Sequence, residues 1–165
     1  APAGESGTGF GQALHWVLEL SNLDPQADLG SLSARAASLN GLKDIETLVA
    51  AVTSVLETEI IKEARGRPHW LELPMLYPFE ELAVEGIADL VFERVDGSLV
   101  VVDFKTDREL GESTLGTYWA QLSSYAAILS RATKKPANEC VIVHIPSGGT
   151  AKTLTHNLVN QSVGH

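Results

Sequence analysis

Two apolar segments joined by a short polar turn dominate the hydrophobic pattern of this chain. Segments 84–94 and 98–105 are rich in Val, Ile, Leu and Phe, which is typical of β-strands that are buried on both faces. Charged residues nevertheless lie within them, namely Asp89 in the first and Asp103 and Lys105 in the second. Because a buried charge is costly unless it is paired or binds a metal, we expect these three residues to serve a function.

The turn between the two segments contains Asp96-Gly97, which is a strong signal for a β-hairpin. A two-residue loop would pair Val95 with Ser98. A three-residue loop that begins at Val95, with Gly97 in the left-handed conformation, would pair Arg94 with Ser98 instead. We predict the three-residue loop.

The length of this loop decides which charged residues share a face of the sheet. The two-residue loop would place Asp89 and Asp103 on opposite faces. The three-residue loop places Asp89 directly opposite Asp103, and Lys105 shares their face because side chains alternate along a strand. The predicted loop therefore brings two carboxylates and a lysine together.

The remaining pattern predicts helices before the hairpin and a helix and strands after it. Asp24-Pro25 and Asp44 are expected to begin two of the helices as N-terminal caps. Pro74 and Pro78 either restrict the first strand to an edge of the sheet or interrupt it. The order strand, helix, strand after the hairpin favours a parallel pair joined by a right-handed crossover. The chain is therefore predicted to be an α/β protein with a mixed β-sheet flanked by helices. The expected helices are 10–20, 25–39, 45–64 and 115–133, and the other expected strands are 69–75, 140–145 and 152–158.

Composition narrows the class of protein. The chain has 165 residues, of which 44% are apolar, and this suits one soluble domain with a core. No apolar run approaches the roughly 20 residues of a membrane span. The net charge of −9 argues against a free-standing nucleic-acid binder, which usually has a basic surface. A single cysteine, Cys140, permits neither an internal disulfide nor a cysteine-rich metal cluster, and we expect a reducing cytoplasm.

The first residues carry little structural information. Residues 1–8 are small and polar and include neither an initiator Met nor the features of a signal peptide. We expect these residues to be disordered, and we expect residues 1–165 to form one domain cut from a longer protein.

Four short motifs occur in order along the chain. They are His15-x-x-x-Glu19, Gly86-x-x-Asp89, Asp103-Phe104-Lys105 and Gln121-x-x-x-Tyr125. On spacing alone, the first and last motifs are more typical of ordinary pairs on one helix face. Taken together, however, the four motifs resemble those of the PD-(D/E)XK nucleases. The resemblance is greatest to the RecB-type domain at the C-terminus of UvrD-like and AddA-like bacterial helicase–nucleases, and it implies a core like that of the restriction endonucleases.

The resemblance implies a metal site. Asp89 and Asp103 would bind Mg²⁺ or Mn²⁺, which prefer oxygen ligands. The backbone carbonyl of Phe104 would complete the ligand set, and His15 would approach the metal from the first helix. An iron–sulfur cluster, which some members of the superfamily hold with four cysteines, is not expected here.

The resemblance also implies roles for the other motif residues. Lys105 would orient or activate the attacking water, or stabilise charge on the phosphate, and the sequence leaves both roles open. Gln121 and Tyr125 would position that lysine or the DNA backbone. Glu19 matches the helix motif but is a weaker candidate.

The function implied by the resemblance is a metal-dependent DNA nuclease. It would be the exonuclease domain of a helicase–nuclease that acts in double-strand-break repair. Its expected partners are DNA, as single strands or ends, the helicase motor domains of the same polypeptide and a partner subunit, with no role for a membrane. Two alternatives remain: a nuclease fold that no longer cuts and serves as a DNA-binding or scaffolding module, and an unrelated α/β domain with fortuitous charges.

Overall fold

The computed structural model describes residues 9–77 and 83–158. Within these residues, four helices come first and a five-stranded sheet with one long helix follows, so the predicted α/β class with a mixed sheet and flanking helices is confirmed. In chain order the elements are α1 (Gly9–Ser21), α2 (Leu29–Leu39), α3 (Ile45–Leu56), α4 (Glu59–Arg65), β1 (His69–Tyr77), β2 (Ala83–Glu93), β3 (Leu99–Lys105), α5 (Glu112–Thr133), β4 (Ala137–His144) and β5 (Lys152–Asn157).

The strands lie in the order β1-β2-β3-β4-β5. β1 and β2 are antiparallel, as are β2 and β3. β3 and β4 run in the same direction, because the N–H of Leu99 donates to the carbonyl of Pro136 at 2.8 Å, and the N–H of Ile145 donates to the carbonyl of Lys105 at 2.9 Å. The predicted parallel pair is therefore confirmed.

The edge position of β1 agrees with the proline that it contains. Pro74 lies within β1, and β1 has a neighbour on one side only in the described sheet, so the missing N–H of Pro74 need not break a central ladder. The predictions for Pro78 and for residues 1–8 fall outside the described residues. Within residues 9–77 and 83–158, no helix combines the length and apolar character needed to cross a membrane.

Two helix boundaries differ from the predictions. The cap of α2 is Asp28, whose side chain accepts the N–H of Ser31. Asp24-Pro25 instead forms a local turn, in which Asp24 accepts the N–H of Gln26 at 2.8 Å. The predicted start was wrong because an Asp can bond its own backbone two residues on as readily as it caps a helix.

Asp44 caps α3 as predicted, but the single helix expected over 45–64 is two helices. α3 ends at Leu56 and α4 begins at Glu59. At the break, the Thr58 hydroxyl donates to the carbonyl of Val55 at 2.7 Å. A threonine that bonds a nearby carbonyl competes with the continuing helix, and the apolar pattern contains no sign of this competition.

The described residues form two compact units, and each has its own core. The first unit comprises residues 9–65, 104–109 and 143–153, and the second comprises 66–77, 83–103, 110–142 and 154–158. Fully buried side chains of α1, α3 and α4 fill the first unit, among them Leu14, Leu18, Leu48, Val52 and Ile61. In the second unit α5 packs on the sheet through a core that includes Val91, Val101, Leu122, Ala126 and Ile142.

Candidate active site

The hairpin between β2 and β3 has the predicted three-residue loop. The N–H of Arg94 donates to the carbonyl of Ser98 at 2.8 Å, and the N–H of Gly97 donates to the carbonyl of Arg94 at 2.9 Å. Gly97 has φ +88°, the left-handed conformation that ends such a loop. The Asp96 side chain accepts the N–H and hydroxyl of Ser98. These bonds, the one from the hydroxyl foremost, hold the pKa of Asp96 below its ordinary value.

The loop fixes the pairing of the two strands that carry the charged residues. Leu90 pairs with Val102 and Val91 pairs with Val101. Continuing this register by one position places Asp89 opposite Asp103, and residues directly opposite each other on antiparallel strands have neighbouring side chains on one face. The predicted register is therefore confirmed from Leu90 to Glu93, and the pairing of Asp89 with Asp103 is its continuation.

The charged residues of both strands are buried. The exposed fractions are 9% for Asp89, 4% for Asp103 and 3% for Lys105. Asp103 and Lys105 are two positions apart in β3, which is the spacing that puts strand residues on one face. Three buried ionisable groups in one strand pair need compensation by each other or by a bound ion.

Sequence reasoning missed a backbone feature at Glu72 in β1. Leu71 pairs with Leu90 and Leu73 pairs with Ala88, so Glu72 lies at the level of Asp89. Glu72 has φ +52°, a left-handed conformation that is unfavourable for a residue with a Cβ. Strained residues of this kind persist when the surroundings impose them, and they cluster at functional sites. The amino-acid sequence contained no signal for it, since a strand with Glu at this position would ordinarily be extended.

His15 of α1 is connected to β3 through the backbone of Phe104. The Nε2 atom of His15 lies 2.9 Å from the carbonyl oxygen of Phe104. The two rings are 6.0 Å apart at 50°, and Phe104 is 2% exposed. The structure therefore brings together the predicted metal-approaching histidine and the predicted carbonyl ligand. Glu19, one turn later on α1, is exposed at the surface.

Tyr125 and Gln121 lie one turn apart on α5. Tyr125 is 4% exposed and belongs to the core beneath the sheet, whereas Gln121 is half-buried. The Tyr125 hydroxyl approaches the backbone of β2 at Gly86. The first residue of the Gly86-x-x-Asp89 motif and the last residue of the Gln121-x-x-x-Tyr125 motif are thus in contact.

The segment after Lys105 is held by a second histidine. The Nε2 atom of His144, at the end of β4, lies 2.6 Å from the carbonyl oxygen of Asp107. This contact gives His144 a structural role. Cys140 in the same strand is buried, and burial, with the nearby Glu139 carboxylate, raises the pKa of its thiol to about 12.

The predicted metal ligands are mainly oxygen atoms. Among residues 9–77 and 83–158, no three His, Cys, Asp and Glu side chains are grouped as a ready-made metal site. The ligand set expected from the sequence, namely the Asp89 and Asp103 carboxylates, the Phe104 carbonyl and His15, therefore stays a prediction. Oxygen donors of this kind are those that Mg²⁺ and Mn²⁺ prefer, with water completing the shell.

Comparison with known proteins assigns the family. The sequence model that represents the PD-(D/E)XK nuclease superfamily matches residues 2–162 of this chain. The chain therefore belongs to the PD-(D/E)XK nuclease superfamily, as its motifs predicted, and the interpretation as an unrelated α/β domain is wrong.

Two curated relatives are each described as one of the subunits of an ATP-dependent helicase/nuclease. The relative from Desulforudis audaxviator (strain MP104C) is 30% identical over 172 residues, which cover 88% of this chain and 14% of the relative. The relative from Alkaliphilus metalliredigens (strain QYMF) is 43% identical over 63 residues, or 36% of this chain and 5% of the relative. The chain thus spans about one seventh of the length of the Desulforudis relative.

Proposed function

We propose that this chain is a Mg²⁺- or Mn²⁺-dependent deoxyribonuclease that hydrolyses phosphodiester bonds. The observation that supports the proposal is the burial of Asp89, Asp103 and Lys105 in a hairpin whose register, continued one position beyond Leu90 and Val102, would set the two carboxylates opposite each other. Such charges oppose the stability of the core unless they are paired or bind an ion, and a bound divalent ion would compensate them.

The carboxylates and one backbone oxygen would hold the metal. Asp89 and Asp103 would bind it directly, and the Phe104 carbonyl, which follows Asp103 in the chain, would be a third ligand. His15, whose Nε2 atom lies 2.9 Å from that carbonyl oxygen, would approach the metal from α1. When bound, a divalent cation polarises the phosphate and makes a water molecule more acidic.

Lys105 would act on the reacting phosphate. Its ammonium group can donate to the phosphate oxygens and offset the negative charge that develops there. It can also orient the attacking water.

Gln121 and Tyr125 would support these groups from α5. Gln121 is half-buried, and its amide would orient Lys105 or a strand of DNA. Tyr125 is too buried to contact a DNA backbone with more than a small part of its ring, so we assign it to holding β2 in place.

The biological setting is proposed from the names of the relatives. A helicase/nuclease subunit combines a motor with a nuclease, so we propose that motor domains of the same polypeptide, with a partner subunit, deliver single-stranded DNA or DNA ends to this domain. This arrangement would account for the net charge of −9, because a domain to which motor domains deliver the DNA needs no basic surface of its own. Exonuclease action in double-strand-break repair in the cytoplasm follows from the same proposal.

Cleavage of end-labelled single-stranded DNA tests the function. The unmodified chain should cut in Mg²⁺ or Mn²⁺ and not in EDTA, and Asp103→Asn should not cut in any of them. Asp24→Asn is the matched control, since it also converts a carboxylate to an amide but lies in an exposed turn, where an Asn can accept the same N–H. Equal cutting by the unmodified chain and by Asp103→Asn would refute the proposal.

Calorimetry with Mn²⁺ distinguishes a nuclease fold that has lost its activity from an intact nuclease site to which no motor domain delivers DNA. If the unmodified chain fails to cut but binds Mn²⁺, and Asp103→Asn does not bind, the site is intact and DNA delivery is missing. If neither protein binds Mn²⁺, the chain is a nuclease fold that serves another purpose, such as scaffolding.

A further inference from the structure

Gly86 and Tyr125 approach each other more closely than a side chain at position 86 would permit. A Cβ atom on Gly86 would lie 2.0 Å from the Tyr125 hydroxyl oxygen and 2.9 Å from Cζ, whereas real Cβ atoms essentially never come within 3.0 Å of another heavy atom. Because the Tyr125 ring is 4% exposed, it has no open space into which it could swing. Close approach of this kind is one of the uses of glycine in proteins.

The contact involves the strand that also carries Asp89, one of the proposed metal ligands. Gly86 pairs with Met75 in β1 and precedes Asp89 by three positions in β2. On the helix side, Tyr125 is flanked by Leu122 and Ala126, which are buried in the same core. The Tyr125 hydroxyl therefore occupies the place of the missing side chain and sets how closely α5 approaches β2.

We propose that Gly86 is a positioning residue, which admits the Tyr125 ring and thereby sets the position of Asp89. To move from 2.0 Å to 3.0 Å, helix and strand would have to separate by about 1 Å, and a densely packed interior transmits such a shift rather than absorbing it. The inference rests on the proposed function, since it assigns a purpose to Gly86 in that same site.

The first test is Gly86→Ala, measured by Mn²⁺ calorimetry and by DNA cleavage. We expect the Mn²⁺ affinity to fall about tenfold or more, as when the support of a metal ligand is disturbed, and cleavage to fall about 100-fold, as for a misplacement of about 1 Å. Gly116→Ala is the matched control, because a Cβ there meets nothing within 4 Å. It should leave both quantities unchanged.

A double variant tests whether the effect passes through Tyr125. Tyr125→Leu removes the hydroxyl, Cζ and Cε1 atoms that a Cβ at position 86 would meet. In this background Gly86→Ala should no longer weaken Mn²⁺ binding, whereas independent sites would keep their separate effects to within about twofold. The same loss of affinity in both backgrounds would overturn the proposal.

Further measurements separate positioning from general destabilisation. Leu129→Ala removes a side chain from the same core on the next turn of α5 and should lower the melting temperature without a comparable loss of Mn²⁺ affinity. An equal loss in Leu129→Ala would overturn the positioning role. If Gly86→Ala alone does not fold, the double variant with Tyr125→Leu should restore folding, and failure to do so would also overturn it.

The two proposals fail in distinguishable ways. An unmodified chain that neither binds Mn²⁺ nor cuts DNA would remove the proposed function and the positioning role together. An unmodified chain that does both, and keeps both after Gly86→Ala, would remove only the role assigned to Gly86.

Discussion

The Nε2 atom of His15 lies 2.9 Å from the backbone carbonyl oxygen of Phe104. As a hydrogen bond, this contact requires a proton on Nε2, which the ring then donates. If His15 instead bound a divalent cation through Nε2, the lone pair of that nitrogen would face the ion and the ring proton would lie on Nδ1. The two arrangements therefore differ in which ring nitrogen of His15 carries the proton.

We predict that saturating Mg²⁺ removes the Nε2 proton of His15, because a nitrogen that binds metal uses the lone pair that the proton would occupy. Nitrogen-15 NMR of the histidine rings during a Mg²⁺ titration measures this change. His144 is the internal control, since its Nε2 faces the Asp107 carbonyl at 2.6 Å and should be unaffected. A retained proton on His15 at saturation would limit His15 to orienting the Phe104 carbonyl.

Two substitutions at Lys105 separate its possible roles. Lys105→Met keeps the buried volume but removes the charge, and we expect cleavage to fall about 100-fold or more while Mn²⁺ still binds. Lys105→Arg keeps the charge, and arginine cannot give up its proton in a protein. Single-turnover cleavage that partly survives in Lys105→Arg identifies an electrostatic clamp, and a loss equal to that of Lys105→Met identifies a base. Undiminished cleavage by Lys105→Met would contradict both roles.

The strain at Glu72 can be measured by comparing two substitutions. Glu72→Gly and Glu72→Ala both remove the carboxylate, but only glycine adopts the φ of +52° found at this position without steric cost. We therefore expect Glu72→Gly to be more stable than Glu72→Ala by about 1–2 kcal/mol in urea unfolding. Equal stability would mean that the backbone relaxes to an extended conformation once Glu is removed, and that the Glu side chain itself imposes the left-handed conformation.

The cap of α3 predicts a dependence of stability on pH. Hydrogen bonds from the hydroxyl and the N–H of Thr47 lower the pKa of Asp44 below its ordinary value of 3.8. The folded state therefore gains stability from Asp44 above that value and loses it as the pH falls through the lower, folded pKa. Asp44→Ser keeps a cap that does not titrate. The gap in urea midpoint between the unmodified chain and Asp44→Ser should be largest at pH 7 and shrink below about pH 4.

Cys140 should be chemically silent in the folded protein. The thiol is 0% exposed, and a pKa of about 12 leaves almost no thiolate near neutral pH, whereas the thiolate is the reactive form. We expect no modification by a thiol reagent at pH 8 until denaturant is added. Val95→Cys is the positive control, because Val95 is 87% exposed. Rapid modification of native Cys140 would show that β4 opens locally.

The sequence predicted most where local rules left few outcomes. Asp96-Gly97 allowed two loop lengths, and the structure has the predicted one, which would bring Asp89 and Asp103 to one face. Proline at position 74 placed β1 at the edge for the same kind of reason, since a central strand cannot lose that N–H.

The predictions failed where two local rules competed or where distant residues decided the outcome. Asp24 could cap a helix or form a turn, and Thr58 could continue a helix or end it, and the sequence pattern does not weigh these alternatives. The left-handed Glu72 and the contact between Gly86 and Tyr125 depend on elements far apart in the chain. The motif showed that a glycine stands at position 86, but only the structure showed which ring occupies the space it leaves.

The hairpin loop also lies at a defined distance from the proposed metal ligands. Position 95 follows Asp89 by about six residues, so at about 3.4 Å per residue a probe there would sit about 20 Å from the carboxylate pair along the strand. With Cys140 buried, Val95→Cys would offer one reactive thiol for a fluorophore or a spin label. Mn²⁺ is paramagnetic, so its arrival at Asp89 and Asp103 would be visible at that label without any DNA. A label in this exposed loop would therefore report on the proposed metal site from a known distance.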